Sequence, residues 1–125
     1  FTLNLTTTDM ARATDWCGVR SGRDYDKWKE SRLTPHAGVE VRSPYVEESP
    51  LSIECRVREI IPLGSHDMFI ADVVNILADD KYIDAKSEAF DMGKAGLLVY
   101  SHGHYYETGS EIGKFGWSVQ KKHDK

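Results

Sequence analysis

One hundred and twenty-five residues suit one domain with a single modest core. Apolar residues at 40% and charged residues at 29% exclude a disordered chain, and a formal charge of −4 with no basic face argues against a nucleic-acid partner. No apolar run approaches the roughly 18 residues of a membrane span and no secretory signal opens the chain, so the cytoplasm is the expected compartment.

Phe1 is not an initiator, and Phe1–Leu5 reads as a strand entered mid-sheet. Thr6-Thr7-Thr8-Asp9 offers hydroxyls and an early carboxylate, the chemistry of a helix start. Met10, Ala13 and Cys17 then recur at helical spacing beside Trp16, and Gly18 ends the run. Ser21-Gly22-Arg23-Asp24 has the form of a capping box, a Ser at the cap and a carboxylate three residues on, leading into helix through Lys29. Such a start, with Arg23 and Lys27 close by, suits an anion, because free backbone N–H groups and the helix dipole point the same way. A plain capped surface helix fits the same letters, and Asp24 and Asp26 oppose an anion.

Leu33 to Pro50 is a connector holding three of the four prolines, with Val39 and Val41 as a short edge strand and His36 solvated. Ile53, Cys55 and Val57 then alternate with Glu54, Arg56 and Arg58, the period of a strand with one buried and one wet face. Pro62-Leu63-Gly64-Ser65 breaks the run, and Met68–Ile76 is a second β-rich run. Together they read as a β-hairpin with His66 just past its turn. A long hairpin cannot bury its apolar face alone, so further strands must close on it, and a small barrel is the expected architecture. Cys17 and Cys55 are too few and too far apart for a disulfide framework or a zinc site, and Cys55 reads as a buried thiol.

Ala78–Lys94 is polar and reads as a loop excursion with a short helix, followed by a buried strand at Ala95–Tyr100. The next stretch, Ser101-His102-Gly103-His104-Tyr105-Tyr106, admits three readings. His102 and His104 on a strand would project to one side, as metal ligands do, but no third ligand stands at a convincing spacing. The aromatics would also suit an interface, and Gly103 with Tyr105 would suit a flat ring. In the tail, apolar residues alternate from Ile112 to Val119 before a charged end, Gln120–Lys125.

Gly64-Ser65-His66 followed by Met68–Val73 resembles the Gly-Asp-His hairpin of the flavin reductase-like, FMN-binding split-barrel family. The chain is similar to its flavoredoxin branch from Asn4-Leu5 to Phe115-Gly116-Trp117-Ser118-Val119. The resemblance implies a mainly β (α+β) fold, an antiparallel split barrel forming one domain over residues 1–125. It also implies that the chain is the C-terminal two-thirds of that domain, with further strands and part of the flavin pocket before position 1. FMN is the implied cofactor, with NAD(P)H as a possible electron donor, and a homodimer is the implied assembly, with the tail docked on the neighbouring subunit. The implied function is electron transfer through flavin to free flavin, a ferric complex or a redox partner protein, and the alternative is a flavin-free split-barrel interaction module. Residue by residue, it implies Ser21, Gly22, Arg23 and Lys27 beside the flavin phosphate. It places His66 at the flavin edge or the nicotinamide, and Ser101, His102, Gly103 and Tyr105 alongside the ring. Ser65 stands where other branches carry Asp, which makes the field at that turn less negative.

Overall fold

The computed structural model describes residues 1–120; the end of the charged tail expected from the sequence, 121–125, lies outside the described residues. The chain is mainly β with short helices, and every strand pair is antiparallel. Its spine is the long hairpin of β4 (Leu51–Pro62) and β5 (Asp67–Ala78), joined by the turn in which the Leu63 N–H donates to the His66 carbonyl at 2.8 Å. Gly64 supplies the positive φ of +90° that this turn needs. β1 (Thr2–Asn4) pairs with the base of β4, giving the sheet order β1-β4-β5. β2 (Pro35–His36) pairs with β3 (Tyr45–Val46), and β6 (Leu98–Ser101) with β7 (His104–Glu107).

Two register shifts bend the spine, between Glu54 and Cys55 and between Val57 and Glu59. The first changes the expected burial. The alternation assigns Glu54 to the wet face, yet Ser52 and Glu54 are among the most buried side chains described. The reason is the connector that reads as nearly structureless. Residues 37–43 form no edge strand at Val39 and Val41; they wrap over β4 and close on the Glu54 carboxylate. The Val39 N–H donates to its Oε1 at 2.7 Å, the Glu40 N–H to its Oε2 at 3.1 Å, and the cross-strand Asn75 amide to Oε2 at 2.7 Å. Burial pushes this carboxyl up, but those bonds and one from the Val41 N–H more than offset it, and it sits below the ordinary glutamate range. Gly38 makes the wrap possible: a Cβ there would fall onto the Val41 carbonyl, 2.6 Å from the Ser43 carbonyl and 2.7 Å from Glu54 Oε1.

The helices are short. A 3₁₀ turn at Thr8–Met10 leads into α1 (Ala11–Val19), as the hydroxyl-rich start predicts. α2 spans Lys27–Ser31 and α3 spans Met92–Ala95. No described helix is long and apolar enough to cross a membrane. Cys55 is buried as expected, in a small set with Met10, Val46 and Ala95. Of the strand expected to be buried at Ala95–Tyr100, Ala95 is buried at the end of α3, Leu97 bridges Thr7 and the Leu98 N–H donates to the Thr6 carbonyl at 2.9 Å, while β6 starts at Leu98 and leaves Val99 and Tyr100 exposed.

Candidate functional site

α1 is the wall to which three of the nine expected site residues, Lys27, Gly103 and Tyr105, are brought. Thr14, Cys17 and Ala13 on one side of it line an almost wholly apolar cavity of about 270 Å³ together with Met10, Lys27 and Trp28. Thr14, Asp15 and Gly18 line a second cavity of about 460 Å³ with Tyr100, Gly103 and Tyr105. Thr14 borders both.

Lys27 reaches the first cavity from the start of α2. The capping box expected at Ser21 does not form. The cap is Asp26, whose carboxylate accepts from the Trp28 and Lys29 N–H groups, so the helix begins five residues later. A carboxylate at the cap both accepts amide hydrogen bonds and complements the helix dipole, which a Ser hydroxyl does less well. Ser21 instead opens a turn: its hydroxyl accepts from Arg23 N–H at 3.2 Å and its carbonyl from Asp24 and Tyr25. Ser21, Gly22 and Arg23 are exposed on that turn and present no helix N-terminus. Arg20 lies 5.3 Å over the Tyr25 ring, and Tyr25 meets Trp16 edge-on at 5.5 Å, which folds the segment back on α1. The Lys27 ammonium donates to the Cys17 carbonyl at 2.6 Å, a cation at the negative end of α1. That uses one of its three N–H groups.

On the second cavity, β6 and β7 meet in a two-residue turn, His102-Gly103, with φ of +47° and +84°. Two successive positive φ values are the signature of a tight primed hairpin, so Gly103 is required by the turn itself. His102 occupies the turn and His104 begins β7, so the two histidines do not lie on one strand as the metal reading would need. Among the described residues no group of three or more His, Cys, Asp and Glu is placed to hold a metal ion. Ser101 pairs with His104 across the ladder. Tyr105 lies edge-on to Tyr100 at 5.2 Å, and its hydroxyl donates to Asp15 at 3.1 Å, pinning the hairpin to α1. Burial first and this bond second hold the phenol above the ordinary tyrosine range.

His66 stands apart. It is exposed at the tip of the β4–β5 hairpin, its Nδ1 3.0 Å from the Ser65 hydroxyl, and it lines neither cavity. Asp15 and Thr14 are the residues that sequence reasoning missed. Thr14 sits four residues after Met10, one of the positions that gave the helical spacing, but a hydroxyl carries no weight in that pattern. Nothing in the local sequence indicates Asp15, whose partner Tyr105 is 90 residues away.

For FMN, the residues present make a partial fit. An apolar cavity edged by a lysine with two uncommitted N–H groups, and an aromatic ring fixed beside it on the same helix, are suited to a flat ring carrying a phosphate.

Comparison with known proteins agrees with this chemistry. A family model described as flavin reductase like domain matches residues 1–109. The structure is similar to a flavoredoxin of Desulfovibrio vulgaris (Miyazaki F), with 26% identity, a TM-score of 0.86, and coverage of 96% of this chain and 64% of that one. It is similar to a flavoredoxin from Methanosarcina acetivorans at 26% identity and a TM-score of 0.78, covering 95% and 64%. An FMN-binding protein from Thermus thermophilus shares the fold at 23% identity and a TM-score of 0.72, covering 91% and 60%. An uncharacterized protein of Archaeoglobus fulgidus is 24% identical over 110 residues, 88% of this chain and 60% of that protein. The chain thus spans less than two thirds of the length of these relatives. With its antiparallel split-barrel relatives and a family match over most of its length, the chain belongs to the flavin reductase like domain family.

Proposed function

We propose that this protein binds FMN and passes electrons from NAD(P)H or a reduced carrier to a small-molecule acceptor or a redox partner protein. The observation that carries the reading is the shared wall: α1 brings Lys27 on one side and Gly103 with Tyr105 on the other to a single helical surface. When bound, FMN supplies the redox chemistry, and the protein supplies binding, orientation and electrostatics. Lys27 directs its remaining donors toward the phosphate, as a point charge held in place by the Cys17 carbonyl. Asp15 fixes the Tyr105 ring, which covers one face of the flavin, and Gly103 lets backbone approach closely. Ser21, Gly22 and Arg23 add contacts from their turn, and Ser101 and His102 from theirs. His66 lies outside both cavities of one chain, so its contact falls to a site shared by two subunits.

Exposed area favours that homodimer. Exposed large apolar side chains are spread along the chain, among them Ile60, Met68, Phe69 and Ile70 near the hairpin tip and Ile112 and Phe115 in the tail, and a second copy would cover them. The same surface favours the second reading, a flavin-free interaction module.

Titration of the purified protein with FMN, followed by flavin absorbance and fluorescence, separates the two. A saturable spectral change that is lost in Lys27→Ala supports the flavin reading; a colourless protein indifferent to FMN refutes it. Rapid-mixing reduction by NADH and by NADPH then identifies the donor.

A further inference from the structure

A third, larger cleft adjoins the Lys27 cavity, sharing Met10, Ala13, Ser31 and Leu33 with it. It measures about 620 Å³ and lies between the Thr7–Asp9 segment, the C-terminal end of α2 and the excursion from Lys81 to Gly96. None of the residues expected to touch flavin lines it.

Three cations from three separate parts of the chain face this cleft, Arg32, Lys81 and Lys94, against two carboxylates, Asp9 and Glu48. The pairing is uneven. Both Glu48 oxygens accept from the Thr34 N–H at 3.0 Å, and one also from the Thr34 hydroxyl at 2.8 Å. Lys81 pairs with Asp79 at 3.3 Å. Arg32 and Lys94 have no ion-pair partner within 4.0 Å among the described residues. The hydroxyls of Thr7 and Thr8, which also line the cleft, make no protein hydrogen bond among the described residues. Two unpaired cations and two free hydroxyls therefore border one concavity, together with the Asp9 and Glu48 carboxylates, which likewise have no ion-pair partner within 4.0 Å among the described residues.

The backbone gives a second, independent indication. Arg32 closes α2 with φ +59° and ψ +22°, the left-handed conformation that glycine adopts at no steric cost. An arginine there accepts strain that a glycine would relieve, and strain of this kind concentrates where a side chain is needed for function. The guanidinium offers a planar fork of donors matched to phosphate oxygens, Lys94 adds a point charge, and the threonine hydroxyls add neutral donors.

We propose that this cleft binds a phosphate group, free or as the monoester of a small polar molecule, beside the Lys27 cavity and in addition to any flavin bound there. Asp9 opposes the ligand's charge, so removing it tightens binding.

Isothermal titration of the full chain, saturated beforehand with FMN so that any flavin-phosphate contacts are occupied, tests the proposal with inorganic phosphate and glycerol 3-phosphate as probes. Visible absorbance reports flavin loading independently, so failure of the flavin reading leaves this measurement interpretable, and the titration is then run on the flavin-free chain. Both probes are expected to bind, more weakly as salt rises. Arg32→Gly, which keeps the backbone conformation, is expected to weaken them about tenfold or more, and Asp9→Asn to strengthen them. Glycerol 3-phosphate binding more tightly than phosphate identifies an ester as the ligand, and equal affinities identify the free ion. Absence of binding by the wild-type chain, unchanged affinity in Arg32→Gly, or loss of binding only in Lys27→Ala would each overturn it.

Discussion

The same substitution, Gly→Ala, should move stability in opposite directions at two positions, and the contrast tests whether the Glu54 wrap holds the fold together. At Gly38 the added methyl meets the Val41 and Ser43 carbonyls and Glu54 Oε1, all parts of one closed loop. Overpacking against fixed backbone costs about 1–3 kcal/mol. Displacing the loop also takes the Val39 and Glu40 amides from their acceptor, and losing hydrogen bonds to a charged group costs about 1.5–3 kcal/mol more. A net loss of about 3 kcal/mol, at about 4 °C per kcal/mol for a domain of this size, lowers Tm by roughly 12 °C. At Gly18, inside α1, a Cβ meets nothing within 4 Å. Alanine there gains about 0.5–1 kcal/mol of helix stability and raises Tm by a few degrees. Thermal unfolding followed by circular dichroism reads both variants, and hydrogen exchange at the Val39 and Glu40 amides reports the loop directly. A Gly38→Ala protein that melts with the wild type, its two amides still protected, would refute the reasoning.

The carboxylates give the acid limb of stability a definite sign. Glu54 and Glu48 are each raised by burial but lowered further by hydrogen bonds, and Asp84 is lowered mainly by Ser87, so all three have folded pKa values below their unfolded ones. Their contribution is fully present above the unfolded values and is lost as pH falls through the folded ones; a pH series of denaturant midpoints should decline below about pH 4.5, less steeply in Glu54→Gln. Lys27→Met should weaken FMN binding and also fray the end of α1, so exchange at the Arg20 amide, bonded to Trp16, should rise with it. Asp15→Asn should lower the alkaline titration midpoint of one tyrosine, seen by ultraviolet absorbance, since the Asp15 charge helps hold the Tyr105 phenol up. His66→Ala at the exposed hairpin turn should leave Tm within about 1 °C, because surface side chains of this kind contribute little.

What the sequence made legible was what depends on near neighbours. The β4–β5 hairpin followed from alternation and from Gly64, and α1 from a hydroxyl-rich start and helical spacing. The errors share one cause, competition from residues distant in sequence or from a better local partner. Ser21 lost the cap to Asp26, whose carboxylate complements the helix dipole that a hydroxyl cannot. Val39 and Val41 have strand-forming side chains, but their amides are captured by a carboxylate on a strand beginning ten residues on. The metal reading of His102 and His104, already weak without a third ligand, also fails on the turn that puts His102 off the strand carrying His104.

Glu54 shows why a period-two pattern identifies strands better than faces. Alternation reports that neighbouring side chains point opposite ways, and which side is buried depends on what covers it. Here the polar side of β4 is covered at Ser52 and Glu54, the latter by the chain's own connector, while the apolar side is buried at Cys55 and exposed at Val57 and Ile60. A buried carboxylate is tolerated only when its oxygens are met, and here backbone amides and Asn75 meet them. The exposed apolar positions have no such cover among the described residues, and whatever covers them removes apolar area from water.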